Sequence, residues 1–99
     1  MQFIVMGLDH PNALERRMAQ RQAHIDVCGA MKADGRMLYG VALLNDEGQM
    51  CGSMIVLDLP DRAAVDEYLK TEPYVTGDVW GEIKVTQCKV GPSFAKPAG

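Results

Sequence analysis

Apolar residues gather in short runs along this chain, separated by longer stretches of mixed polarity, and the two kinds of segment differ in period. Residues 2–9, Gln-Phe-Ile-Val-Met-Gly-Leu-Asp, form a run that Pro11 interrupts before a useful length of helix can form. Their branched residues predict a strand. Phe3, Val5 and Gly7 alternate with Ile4, Met6 and Leu8, so both faces of that strand need cover. From Pro11 to about Ala33 the chain is rich in Ala, Leu, Met, Glu, Gln and Arg, which predicts a long helix with proline in its first turn. Asp34-Gly35 ends it, and a second strand runs from Arg36 to Leu44. Asn45-Asp46-Glu47-Gly48 between two apolar runs predicts a hairpin. The third strand, from about Met50 to Asp58, again carries apolar residues on both faces, with Ser53, Ile55 and Leu57 opposite Met54 and Val56.

Asp58-Leu59-Pro60-Asp61 opens a second helix, its acids suited to the free N–H groups of a first turn. Ala64, Val65, Tyr68 and Leu69 give that helix an apolar stripe, and Glu72-Pro73 stops it. A last strand extends from Trp80 to Val90, and the tail at about residues 91–99 is expected to be loosely ordered. The resulting order β-α-β-β-α-β is the split βαβ pattern: a ferredoxin-like α+β fold with an antiparallel sheet and both helices on one face. Two helices on one side cannot bury apolar residues on both faces of strands 1 and 3. The simplest cover for the second face is another copy of the same sheet, so a homodimer is expected, with higher assembly left open. Phe3, Val5, Ile55 and Leu57, or their alternating neighbours, are expected at that interface.

Composition narrows the partners. Ninety-nine residues suit one domain spanning 1–99, and 47% hydrophobic with 23% charged residues is ordinary for a globular protein. A formal charge of −3, with Arg16, Arg17 and Arg21 as the main basic cluster, argues against nucleic acid. No apolar run reaches the ~20 residues that span a bilayer. The first residues lack a basic leader, so a cytoplasmic location is expected and no membrane partner. Cys28, Cys51 and Cys88 have neither disulfide-framework nor zinc spacing and are expected to be free thiols.

Counting the first helix at about 100° per residue from Leu14 places Met18, Ile25 and Cys28 within about 40° of it, which predicts the buried stripe. Arg21 falls about 20° from the centre, while Arg17 and His24 lie near one edge at about 60° and 80°. An unpaired guanidinium is costly to bury, so Arg21 either snorkels, pairs with a carboxylate or meets an anionic ligand. His24 is a packing residue or an acid–base group, and His10, in a loop beside Pro11, is assigned no role. Asp9 ends the first strand on the Phe3-Val5-Gly7 face, either capping the following helix or facing a ligand. Ser53 offers a hydroxyl or is simply a small residue on a crowded sheet. His24, about twelve residues into a helix rising ~1.5 Å per residue, is deep relative to Asp9. A different carboxylate, Glu72 or Asp34, or a water or ligand, would then complete the site.

Asp9, Leu14-Glu15-Arg16-Arg17, Arg21-Gln22-Ala23-His24, Asp34-Gly35-Arg36, Gly52-Ser53 and Glu72-Pro73-Tyr74-Val75 together resemble the YciI-like, YCII-related family of the dimeric α/β-barrel superfamily. The resemblance runs from about residue 2 to residue 90. It implies ferredoxin-fold dimers whose sheets pack into a barrel, with a histidine/aspartate site in a cleft of each subunit. Carried over by motif, these are His24 and Asp9 as catalytic candidates; Arg21, Ser53, Glu72 and Tyr74 are the candidates for holding a ligand beside them. Two positions depart from the family pattern: Glu72 stands where the family has Asp before Pro-Tyr, and Gln22 where it has Pro.

The resemblance implies a lyase- or isomerase-like step, such as elimination from a substituted aromatic, and no cofactor motif accompanies it. In the corresponding reading of the residues, His24 moves a proton on a small anionic or hydroxylated organic molecule, Asp9 orients it and Arg21 holds developing negative charge. The alternative is a module that holds a metabolite in the same cleft without turning it over. A metal- or haem-dependent oxygenase is disfavoured, because His10 and His24 lack ligand spacing.

Overall fold

The computed structural model describes residues 1–94. Its elements are β1 (Gln2–Asp9), α1 (Leu14–Ala33), β2 (Met37–Leu44), β3 (Met50–Asp58), α2 (Arg62–Thr71), α3 (Pro73–Thr76) and β4 (Trp80–Cys88). The four strands form one sheet in the order β2-β3-β1-β4, with every neighbouring pair antiparallel. This is the ferredoxin-like α+β fold that the order of elements predicts.

Local chemistry sets the boundaries. Asn12 takes a left-handed φ of 61°, so the segment after Pro11 is a turn and α1 begins at Leu14, later than its composition predicts. Gly35, at φ 84°, ends α1 in the left-handed region, and Arg36 N–H donates to the Met31 carbonyl at 2.9 Å. In the β2–β3 hairpin the Asn45 carboxamide oxygen accepts from the N–H groups of Glu47 and Gln49 at 2.9 and 3.0 Å, closing the expected turn. Asp61 caps α2 by accepting from the Ala64 N–H at 2.9 Å. Glu72-Pro73 ends α2 as expected, then starts the single turn α3, with Glu72 as its cap and proline in its first turn. Of the expected tail, residues 91–94 form a turn and residues 95–99 lie outside the described residues.

Strand register sorts the two apolar faces. Phe3, Val5 and Gly7 sit opposite Leu57, Ile55 and Ser53, and these side chains turn to the helices. Phe3, Val5, Ile55 and Leu57 are at most 2% exposed and form the core with Met31, Met37, Leu59, Val65, Tyr68, Tyr74, Val79 and Trp80. Burying each such aliphatic side chain stabilises the fold by roughly 1.5–3 kcal/mol. Gly7 is required here, because a Cβ at this position would overlap the Trp80 indole. The alternating neighbours Ile4, Met6, Met54 and Val56 occupy the face that no helix covers, beside Leu8, Tyr39 and Val41. Tyr39 there is 65% exposed.

The helical phase of α1 differs from the one its apolar residues predict. Met18 and Ile25 are 52% and 40% exposed, whereas Ala13, Arg17 and Met31 are buried and Gln20, His24, Val27 and Cys28 are half-buried. The side facing the sheet is therefore centred on Arg17 and His24 and not on Leu14, and Arg21 lies on the exposed flank. The reason is polar: Arg17 and His24 find buried carboxylates on other elements, and those contacts outweigh the apolar preference of Met18 and Ile25.

Candidate functional site

Arg17 is 1% exposed, so its charge must be matched where it lies. Its Nε and Nη2 donate to Asp9 Oδ2 and Oδ1 at 2.7 and 3.0 Å, a two-pronged pairing at the end of β1. Nη2 also donates to Ser53 Oγ on β3 at 2.9 Å. The guanidinium carbon stands 4.4 Å from the centre of the Tyr74 ring, within range for a cation–π contact. Burial alone lowers the affinity of this guanidinium for its proton, but the Asp9 contacts, with smaller help from Tyr74, more than reverse that effect.

The second buried charge belongs to Glu72, which is fully buried between α2 and α3. Its carboxylate accepts from His24 Nδ1 at 2.5 Å, Tyr68 O–H at 2.8 Å and the Tyr74 N–H at 3.2 Å. All three bonds bring a donor to this one carboxyl group, which acts throughout as the acceptor. With Nδ1–H donating to Glu72, the basic nitrogen of His24 is Nε2, which stands 3.4 Å from Cys28 Sγ. The imidazole stacks on Tyr74 with centroids 4.1 Å apart and meets the edge of Trp80 at 6.4 Å. Tyr74 therefore has Arg17 against its ring and His24 stacked on it.

A cavity of about 580 Å³ opens between α1 and the β2–β3 half of the sheet. Arg17, Arg21, His24, Cys28 and Lys32 reach it from α1, Gly40, Ala42 and Ser53 from the sheet, and Tyr74 from α3. A Cβ at Gly40 would meet nothing within 4 Å, so small residues on this edge strand leave the space open. Among the described residues its lining includes two further cations, Arg21 and Lys32, and no carboxylate.

The sequence-derived candidates are thus divided between two places. His24, Arg21, Ser53 and Tyr74 line one cavity, with Glu72 directly behind His24. Asp9 is not in its lining: it is held by Arg17 and lines a separate shallow depression with His10 and Pro11. Asp34 pairs with Arg36 on the surface, where that hydrogen bond holds its carboxyl below the usual range. Of the alternative carboxylates for His24, the structure supplies Glu72. Sequence reasoning missed Arg17 as the centre of the buried face and Cys28 as a neighbour of the imidazole. Their four-residue spacings from Ala13 and His24 carried that information, but the apolar stripe through Met18 and Ile25 concealed it.

Two consequences are measurable. Arg17→Met leaves the Asp9 carboxylate, 6% exposed, without its cation, and urea unfolding should show a loss of about 3–5 kcal/mol, partly restored by adding Asp9→Asn. The second is a pH effect. Burial, reinforced by Glu72, pushes the Cys28 thiol from 9.0 up to about 11, and the same causes push the Tyr68 phenol up from 10.0. The folded chain then keeps protons that the unfolded chain releases. This contribution is complete below pH 9 and is lost as pH rises toward about 11. Melting temperature should fall across that window, less steeply in Cys28→Ala.

Known proteins share this arrangement of elements. A 5-chloro-2-hydroxyhydroquinone dehydrochlorinase from Burkholderia phenoliruptrix AC1100, solved in complex with 2,5-dihydroxybenzoquinone, superimposes with a TM-score of 0.82 at 21% identity, covering 94% of this chain and 98% of its own. An antibiotic biosynthesis monooxygenase matches more distantly, with a TM-score of 0.53 at 14% identity over 92% of this chain and 98% of its own. In sequence, an uncharacterized protein of Haemophilus influenzae is 25% identical over 95 residues, covering 90% of this chain and 97% of its own. Protein YciI of Escherichia coli O6:H1 is 24% identical over the same shares. The model of the YCII-related domain matches residues 1–89, and the chain belongs to that family.

Proposed function

We propose that this protein is a homodimeric small-molecule enzyme that uses His24 for acid–base chemistry on an anionic or hydroxylated organic ligand held between α1 and the sheet. The observation that carries the reading is the pairing of His24 Nδ1 with a fully buried Glu72 at 2.5 Å, with the ring at the wall of an open cavity. A histidine fixed in this way presents Nε2 as the free nitrogen for proton transfer. The Glu72 carboxylate stabilises the imidazolium that forms when Nε2 takes a proton. A cavity of about 580 Å³ is of a size that suits a single small organic molecule. Arg21 and Lys32, without a carboxylate among the described lining residues, favour a ligand with ionised hydroxyl or carboxyl groups.

In the simplest step of this kind, His24 Nε2 takes a proton from a ring hydroxyl of the ligand. The step runs from the ring tautomer in which a second hydroxyl's proton has moved to the carbon bearing the leaving group. The O–H pair forms a carbonyl, the adjacent C=C pair shifts to form a new C=C to that carbon, and the anion departs with its bonding pair. The likeness to a dehydrochlorinase that binds 2,5-dihydroxybenzoquinone supports a ligand of this shape. Asp9 acts in this scheme through Arg17, whose guanidinium fixes the Tyr74 ring on which His24 stacks. Ser53 acts similarly, by holding Arg17 Nη2.

A second copy of the chain covers the open face of the sheet. Ile4, Met6, Met54 and Val56 form an apolar patch on β1 and β3, continued by Val41 and Tyr39 on β2. Such a patch is poorly tolerated in a monomer. Sedimentation velocity at micromolar concentration should show a dimer that Val56→Lys converts to monomer; a wild-type monomer would remove the homodimer from the reading.

Titration with 2,5-dihydroxybenzoquinone, followed by calorimetry, should show binding that weakens about tenfold or more in Arg21→Ala, as expected for loss of a charge-assisted contact. Turnover of a chlorinated hydroxyhydroquinone, read as chloride release, should fall by about 10²-fold or more in His24→Gln. Tight binding with no chloride release from any such substrate supports the non-catalytic binding module instead. Absence of binding in the wild type rejects the assignment of this ligand class.

A further inference from the structure

We propose that Cys28, His24 and Glu72 form a nucleophilic triad, in which Cys28 Sγ adds to the conjugated carbon of an α,β-unsaturated carbonyl ligand. The proposal rests on the cavity reading above and sharpens its ligand class from a hydroxylated ring to an electrophilic, quinone-like one.

The geometry is a continuous relay. Cys28 lies four residues after His24 on α1, which places the two side chains on one face a single turn apart. Cys28 Sγ stands 3.4 Å from His24 Nε2, within reach of a sulfur hydrogen bond, and His24 Nδ1 stands 2.5 Å from Glu72 Oε1. Glu72 is itself fixed by Tyr68 O–H and the Tyr74 N–H. A nucleophile beside a base, with the base oriented by a third group, is the arrangement that activates hydroxyl and thiol nucleophiles. Both Cys28 and His24 line the cavity, so a ligand there meets sulfur and nitrogen together. Burial and the nearby Glu72 push the Cys28 thiol up to about 11, so at neutral pH it keeps its proton. The sulfur is therefore an S–H donor to Nε2, and the thiolate forms only as it attacks.

The step balances within these groups. As the Sγ–C bond forms, the C=C electron pair moves toward the ligand carbonyl oxygen, giving an enolate, and the thiol proton passes to Nε2. The imidazolium is stabilised by the Glu72 carboxylate. Arg21, seven residues before Cys28 and ~10 Å away along the helix, lines the same cavity, and its long side chain supplies the cation for the enolate oxygen that develops three bonds from the attacked carbon. Nε2–H then returns the proton to the enolate, which completes addition of the thiol across C=C. Nothing is oxidised or reduced by an outside reagent, and the reverse sequence regenerates free Cys28. Neither Cys51 nor Cys88 has a histidine within hydrogen-bond distance among the described residues, so they serve as internal controls.

The test uses 2-cyclohexen-1-one, an enone that reacts slowly with unassisted thiols, with peptide mass spectrometry of the three cysteines over time at pH near 7. In the wild type, Cys28 should be modified faster in the native protein than in concentrated urea, because only the native fold supplies the base. His24→Gln should slow modification of Cys28 by about 10²-fold while leaving Cys51 and Cys88 unchanged. If His24→Gln does not fold, the native-against-urea comparison in the wild type decides alone. Native Cys28 reacting no faster than in urea, or equally fast in a folded His24→Gln, overturns the triad. The two readings fail separately: a wild type that binds 2,5-dihydroxybenzoquinone but shows no assisted Cys28 reaction keeps the ligand site and loses the nucleophile.

Discussion

A guanidinium removed from water must be neutralised where it lies, and in this small domain the pairing of Arg17 with Asp9 decides how the pieces meet. The two bonds at 2.7 and 3.0 Å tie the end of β1 to the first turn of α1, and the third, to Ser53, ties both to β3. Fork-like donors leave little rotational freedom, so the helix is fixed in rotation and not merely packed. This fixes the phase of α1. With Arg17 turned inward, His24 lies on the same line seven residues on and also faces the interior, while Met18 and Ile25 are turned outward. An apolar stripe alone would have rotated the helix by most of a quarter turn.

The second buried charge depends on the first. Glu72 has no arginine or lysine beside it among the described residues; its donors are an imidazole, a phenol and a backbone N–H. Tyr74 lies between the two networks, with Arg17 against its ring and His24 stacked on it. Replacing such buried ionic groups by apolar ones of equal volume is often neutral or stabilising in other proteins. Stability is therefore a poor explanation for keeping them. What they provide is direction: a histidine with one nitrogen committed to a carboxylate and the other presented to a cavity.

The fold was legible because each of its elements carries its own punctuation. Asn45 to Gly48, Gly35, Asp61 and Glu72-Pro73 all act where their chemistry predicts, and the alternation in β1 and β3 correctly signals a sheet with two apolar faces. The site was less legible. Helical counting assumes that apolar residues define the buried side, and here a buried Arg and a buried Glu override it. Tyr68 reads as part of an apolar stripe, yet its hydroxyl is one of three donors holding Glu72. Depth was the more reliable argument: the rise along α1 separates His24 from the end of β1, and the carboxylate that meets it is indeed Glu72 and not Asp9.

Strand β2 links the two faces of the sheet. Its side chains alternate, so that Gly40 and Ala42 pair with Ile55 and Ser53 toward the helices, while Tyr39 and Val41 pair with Val56 and Met54 on the open face. Small residues on one side leave the cavity; larger apolar ones on the other carry the patch that a second copy would cover. The strand lies at the edge of the sheet, where only β3 holds it. Its position, and with it the width of the cavity opposite His24, is set by its pairing with β3 and its contact with α1. The cavity and the open face are then linked through a single strand, because the period of two that separates their residues also prevents either face from moving alone.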